Sequence, residues 1–127
     1  MGTTTLLDSN IAIYLIKGGL DKHTEQAIRN ATASGFNISV ISKIELLGFA
    51  FPTDDVKIKT ERLIAQCSIF PLNDEVVTKT IELRQQYRVK LPDSIIAATA
   101  IVHDFTLISR NDKDFSIIKE LSYFNPF

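Results

Sequence analysis

Apolar residues fall in short blocks, separated by segments in which they recur every three or four residues, so brief strands alternate with amphipathic helices. Residues 3–7 form a β-branched and apolar run that ends at Asp8; a helix over 11–16 follows, terminated by Gly18 and Gly19. Asp21 suits the cap of a helix over about 22–33, which Gly35 closes before a second strand at 37–41. A third helix starts near Ser42 and stops at Pro52, and Thr53 or Asp54 caps a fourth that carries Val56, Ile58, Leu63 and Ile64 towards Cys67. After a strand at 68–72, Asp74 opens a helix reaching about Arg88, with Val77, Ile81 and Leu83 to Arg84 on or near its buried side. Pro92 starts the most apolar helix, over 93–103. A strand at 106–109, a short helix at 115–119 and a fifth strand at 122–124 complete the pattern.

Strands this short, joined by helices long enough for right-handed crossovers, predict an α/β fold with a mainly parallel sheet of about five strands covered on both faces. There is no internal repeat, low-complexity tract or long linker, so residues 1–127 read as one domain.

Composition adds exclusions. The apolar fraction of 45% and charged fraction of 23% suit a soluble globular protein. The apolar stretch at 94–102 falls far short of the roughly 20 residues of a membrane span, and no export signal opens the chain. A single cysteine, Cys67, permits neither an internal disulfide nor a paired zinc site; it reads as buried core, and a reducing cytoplasm is expected. The net charge of −1 argues weakly against nucleic acid as a partner. Setting four acids aside as metal ligands leaves a basic surplus, so net charge decides nothing.

A few acids stand apart by position. Asp8 directly follows an apolar strand, where open α/β sheets hold ligands, yet it equally suits the cap of the next helix. Glu45 is flanked by Ile44 and Leu46 and needs a metal or a partner, Lys43 or another base being the plainer choice. Asp93 heads an apolar helix and either caps it or enters a cleft. In the segment 107–115, Asn111, Asp112 and Asp114 all suit a metal, while Asp114 also suits a cap. Three or four carboxylates without a histidine or cysteine cluster make an all-oxygen donor set for Mg²⁺ or Mn²⁺, and such a site fits phosphodiester hydrolysis.

These segments resemble the PIN-domain nucleases, in particular the VapC-type toxins. Leu6-Leu7-Asp8-Ser9-Asn10 resembles the opening strand with its first acid, and Ser39-Val40-Ile41-Ser42-Lys43-Ile44-Glu45-Leu46 the segment carrying the second. Leu91-Pro92-Asp93-Ser94-Ile95-Ile96-Ala97-Ala98-Thr99-Ala100 resembles the helix of the third acid, and Leu107-Ile108-Ser109-Arg110-Asn111-Asp112-Lys113-Asp114-Phe115 the closing motif.

The resemblance implies a three-layer α/β/α sandwich in which Asp8, Glu45, Asp93 and Asp114 surround Mg²⁺ or Mn²⁺ and cleave RNA; Asp112 competes with Asp114 as fourth ligand. Asn10, Ser42, Ser109 and Asn111 match positions that orient ligands or water. It further implies a toxin that inhibits translation, silenced by a cognate antitoxin and often homodimeric. The apolar stretch 48–52, including Phe49 and Phe51, suits either an antitoxin helix or the core.

Lys17, Lys43, Arg88, Lys90, Arg110 and Lys113 lie near the site segments and suit RNA phosphates, and Arg84 suits a carboxylate-holding role. His103 and His23 suit helix ends rather than catalysis. Competing readings are a housekeeping PIN nuclease, a phosphatase with Asp8 as nucleophile, whose usual second aspartate is replaced by Asn10, and a non-catalytic RNA- or protein-binding module.

Overall fold

The computed structural model describes residues 4–48 and 50–127. Thr3 in the first expected strand and Phe49 in the apolar stretch lie outside the described residues. The elements run β1 (Thr5–Leu7), α1 (Ser9–Lys17), α2 (Lys22–Ala31), β2 (Phe36–Ser39), α3 (Val40–Leu47), α4 (Asp54–Gln66), β3 (Cys67–Phe70), α5 (Asp74–Gln86), α6 (Leu91–Val102), β4 (Thr106–Ile108), α7 (Asp112–Phe115) and β5 (Tyr123–Phe124). This is the expected α/β architecture, and every strand pairing among the described residues is parallel.

β1, β4 and β5 form one ladder, and β2 with β3 another. β2 lies beside β1, where the Asn37 side-chain amide donates to the Thr5 carbonyl at 3.0 Å, so the two ladders continue one another. One apolar cluster contains Leu6, Leu107, Phe115 and the buried face of α6; the other contains Leu7, Ile11, Ile28, Ile38 and Ile108. Successive strand residues therefore feed cores on opposite faces of the sheet.

Local chemistry explains the boundaries. Asp21 caps α2 by accepting from the Thr24 amide at 2.7 Å, and Thr53 caps α4 through the Val56 amide at 3.2 Å. Gly18 at φ 76° supplies the left-handed residue that ends α1. The second strand stops at Ser39, earlier than expected, because the Ser39 hydroxyl caps α3 and draws Val40 and Ile41 into the helix. The third strand likewise covers Cys67–Phe70 rather than 68–72.

The buried face of α5 is Val76, Thr80 and Leu83, while Val77 and Ile81 are 38% and 54% exposed. Arg84 is exposed and donates to the Val89 carbonyl, and it makes no ion pair with a carboxylate among the described residues. The short helix falls at Asp112–Phe115 rather than 115–119, capped by Asn111. Cys67 is half-buried against the second cluster, and its thiol is pushed up to about 11 by burial. No helix among the described residues is long and apolar enough to cross a membrane.

Candidate active site

β1 and β4 are parallel neighbours, with Leu7 opposite Ile108, so the residues that follow them emerge at the same sheet edge. Asp8 and Ser109 are those residues. Asp8 is 4% exposed, stands at the strand end and caps the helix that follows. One carboxylate oxygen caps α1 by accepting from the Ser9 amide at 2.9 Å; the other accepts from the Ser109 hydroxyl at 2.7 Å. Burial pushes its pKa above the usual 3.8, the bonds from Ser109 and Ser9 pull it down, and the Glu45 charge pushes it up again.

Glu45 extends from α3. Its side chain is more exposed than its apolar neighbours suggested, and Ile44 beside it is 62% exposed. Its partner is neutral rather than basic: the Ser9 hydroxyl donates to Oε1 at 2.6 Å, tying α3 to the start of α1. Asp93 sits in the first turn of α6, whose N-cap position is Lys90, so Asp93 is not the cap.

The Asp93 carboxyl is half-buried within hydrogen-bonding reach of Asp114 and is pushed up to about 6. Burial is the main cause, followed by the Asp114 carboxyl and the charges of Asp8, Asp114 and Glu45. The electrostatics thus link four acids that span residues 8 to 114 of the sequence.

Asn111 holds Asp114 from two sides, donating Nδ2 to Oδ2 at 3.0 Å and accepting the Asp114 amide at 3.3 Å. The Asn111 amide in turn donates to Ser109 Oγ at 2.9 Å, which connects Asp114 to Asp8. Asp112 is engaged elsewhere. It accepts from the Tyr123 hydroxyl at 2.6 Å and from Asn125 Nδ2 at 3.1 Å, and these bonds pull its pKa down. Of the two acids left open by sequence, Asp114 joins the other three.

Ser42 is fully buried on α3, with a hydroxyl that has no partner among the described residues. Asn10 and Arg110 line a cavity beside the acids, as does Lys17. Lys43, Arg88, Lys90 and Lys113 are exposed, and no contact among the described residues brings them to the carboxylates. His103 stacks on Phe105 and packs at a tilt against Phe70.

Three contributors escaped the sequence reading. Ser9 bonds both Asp8 and Glu45, and its place beside Asp8 was the available signal. Tyr123 and Tyr14 join through long-range contacts; Tyr14 lies one helical turn from Asn10, a spacing that put both on one face of α1.

Four oxygen-donor side chains, whose neighbouring charges help to raise the pKa values of Asp8 and Asp93, form a set that a hard divalent cation would relieve. As the side chains stand, no group of three or more acidic, histidine or cysteine residues among the described residues is close enough to grip an ion. The donor chemistry of the four side chains fits a hard cation.

The chain matches the PIN domain family over residues 5–121. A search of curated protein sequences found no match. Among solved structures it is similar to a toxin-antitoxin complex from Klebsiella pneumoniae, at 30% identity over 98% of each chain with a TM-score of 0.77. VapBC2 from Rickettsia felis, bound to a DNA fragment from its promoter, shares 23% identity over 96% of this chain and 98% of that one, with a TM-score of 0.81. DNA-bound VapBC from Salmonella typhimurium shares 20% over 98% and 99%, with a TM-score of 0.82; at these identities the last two show the fold alone. With the family matched over most of the chain, including strands β1 to β4 and all four acids, the chain belongs to the PIN domain family.

Proposed function

We infer that this protein is an endoribonuclease dependent on Mg²⁺ or Mn²⁺ and the toxin of a toxin–antitoxin pair. The observation that carries the nuclease reading is the meeting of Asp8, Glu45, Asp93 and Asp114 at one sheet edge, with Asp93 pushed up to about 6. Those four side chains would hold the cation. When bound, it supplies positive charge that lowers the pKa of water and offsets charge on the attacked phosphate.

The chain's own contribution is to keep the carboxylates in place. Ser109 and the Ser9 amide fix Asp8, the Ser9 hydroxyl fixes Glu45, and Asn111 fixes Asp114. Asp93 is the group best placed to hold a proton while the cluster is cation-free and to surrender it when positive charge arrives.

The toxin reading rests on the family and on the 30% identical relative described as a toxin-antitoxin complex. A cognate antitoxin, a homodimeric state, a cytoplasmic setting and inhibition of translation are parts of this proposal.

Purified protein incubated with single-stranded RNA is expected to cut it with Mg²⁺ or Mn²⁺ and to stop when EDTA is added. Equal cutting in EDTA would refute metal dependence. Expression is expected to arrest growth, with rescue by a co-expressed antitoxin from the adjacent reading frame.

Two further results are expected. Asp93 has a folded pKa above its ordinary 3.8, so the folded state holds the proton more tightly than the unfolded chain. That stabilisation is whole below about pH 4 and lost as pH rises through about 6. In EDTA the melting temperature should therefore fall across this window, and Mn²⁺ should reverse the fall above it; a rise with pH in EDTA would contradict the clustering. Ser109→Ala removes the hydroxyl that steadies Asp8 and is expected to weaken Mn²⁺ binding about 10- to 100-fold in calorimetry. Unchanged affinity would deny Ser109 that role.

A further inference from the structure

Beside the acids, between α1 and the turn after β4, lies a cavity of about 520 Å³ lined by Asn10, Ile13, Tyr14, Lys17, Arg110 and Asn111. The four α1 residues fall at positions i, i+3, i+4 and i+7 and present one face of the helix. Asn111 makes the cavity continuous with the cluster, because its side chain also donates to Asp114.

Arg110 is held before any ligand arrives. Its Nη1 donates to the Tyr14 hydroxyl at 2.7 Å, and its guanidinium lies 4.4 Å from the Phe127 ring centre and 5.7 Å from that of Tyr14. Phe127 and Tyr14 pack at 5.0 Å. Neither Arg110 nor Lys17 forms an ion pair among the described residues, whose ion pairs all lie on α2, α4 and α5 or between α5 and Glu120. Two cations without carboxylate partners beside an aromatic ring and two side-chain amides match the parts of a nucleotide: phosphate, base face and base edge. The volume lies within the range of roughly 300–1,000 Å³ that small-ligand sites occupy.

We propose that this cavity seats the RNA nucleotide next to the scissile phosphate, with its base against Tyr14 and Arg110 and its phosphate facing Lys17 and Arg110. Tyr14 and Arg110 are then specificity-determining residues, and Asn10 and Asn111 select among bases by their edges. This inference rests on the endoribonuclease reading.

Two measurements test it separately from that reading. In cleavage assays Tyr14→Leu is expected to raise KM about tenfold, as loss of one stacked base does, to leave kcat nearly unchanged, and to flatten the base preference beside the cut. Tyr14→Phe keeps the ring and stays closer to wild type.

In the second measurement, binding of a fluorescent single-stranded oligoribonucleotide is followed in the Asp93→Asn background with EDTA, where cutting is expected to be at least about 100-fold slower. There Tyr14→Leu should weaken binding by the same factor, and Lys17→Gln and Arg110→Gln should each lower the salt slope by about 0.7. Folded Tyr14→Leu protein with wild-type KM and cut-site preference would overturn the subsite, as would unchanged oligonucleotide affinity. Wild-type protein that cuts no RNA would instead overturn the nuclease reading, while the binding measurement still decides the cavity.

Discussion

Asp93→Asn is expected to reduce RNA cleavage by at least about 100-fold while making the cation-free protein more stable at pH 7. The first effect follows because losing even an outer partner of a metal ligand costs about 10- to 100-fold, and Asp93 is proposed as a ligand itself. The second follows because Asp93 at neutral pH carries a charge that burial and three neighbouring acids oppose. The gap between 3.8 and about 6 would be worth roughly 3 kcal/mol at 1.36 kcal/mol per pK unit.

Asp93 is only half-buried, and screening by water reduces the expected gain to about 1 kcal/mol. For a chain of this size that raises the melting temperature by about 4 °C. Scanning calorimetry in EDTA at pH 7 and a cleavage assay in Mn²⁺ check the two halves. A variant that melts below wild type in EDTA, or one that still cuts, would remove Asp93 from the proposed role.

Phe115→Ala is expected to cost about 3–5 kcal/mol, a large part of the 5–15 kcal/mol that holds a typical domain together. Phe115 is fully buried in the cluster that includes Leu6, Leu107 and α6, and its ring packs 6.1 Å from that of Tyr123. It is also the residue that pins α7, the four-residue helix bearing Asp114, to the core. The variant should therefore lose both its urea midpoint and its cleavage activity. Phe115→Leu fills most of the space, should cost about 1 kcal/mol, and should keep the activity. A loss below about 1 kcal/mol for the alanine variant would show that α7 is not anchored this way.

The parts of the fold legible in sequence were those where a local pattern coincided with a local cause. The run ending at Asp8 and the Pro92-Asp93 start of an apolar helix each carry their signal within a few residues, and the structure places both at the sheet edge. On α5 the signal misled, because Thr80 counts as polar in any pattern. Its hydroxyl donates to the Val76 carbonyl at 2.7 Å, which satisfies it inside the helix and lets it face the core while Val77 and Ile81 turn outward.

At residues 37–41 an apolar run read as strand throughout, but the Ser39 hydroxyl decided the boundary. The division of labour between Asp112 and Asp114 depended on Tyr123, which lies eleven positions beyond Asp112 in β5, and local pattern carries no trace of that contact. For Asp8, Glu45, Asp93 and Asp114, sequence offered position and the family resemblance, and the structure added their mutual electrostatics.

The bond from Ser109 to Asp8 spans 101 positions, and β1 lies between β2 and the late strand β4. A nascent chain on the ribosome therefore carries Asp8 for most of its synthesis without the strand that completes its surroundings. The proposed carboxylate site therefore cannot assemble before residues 106–114 have emerged, and a chain interrupted short of them is expected to lack it.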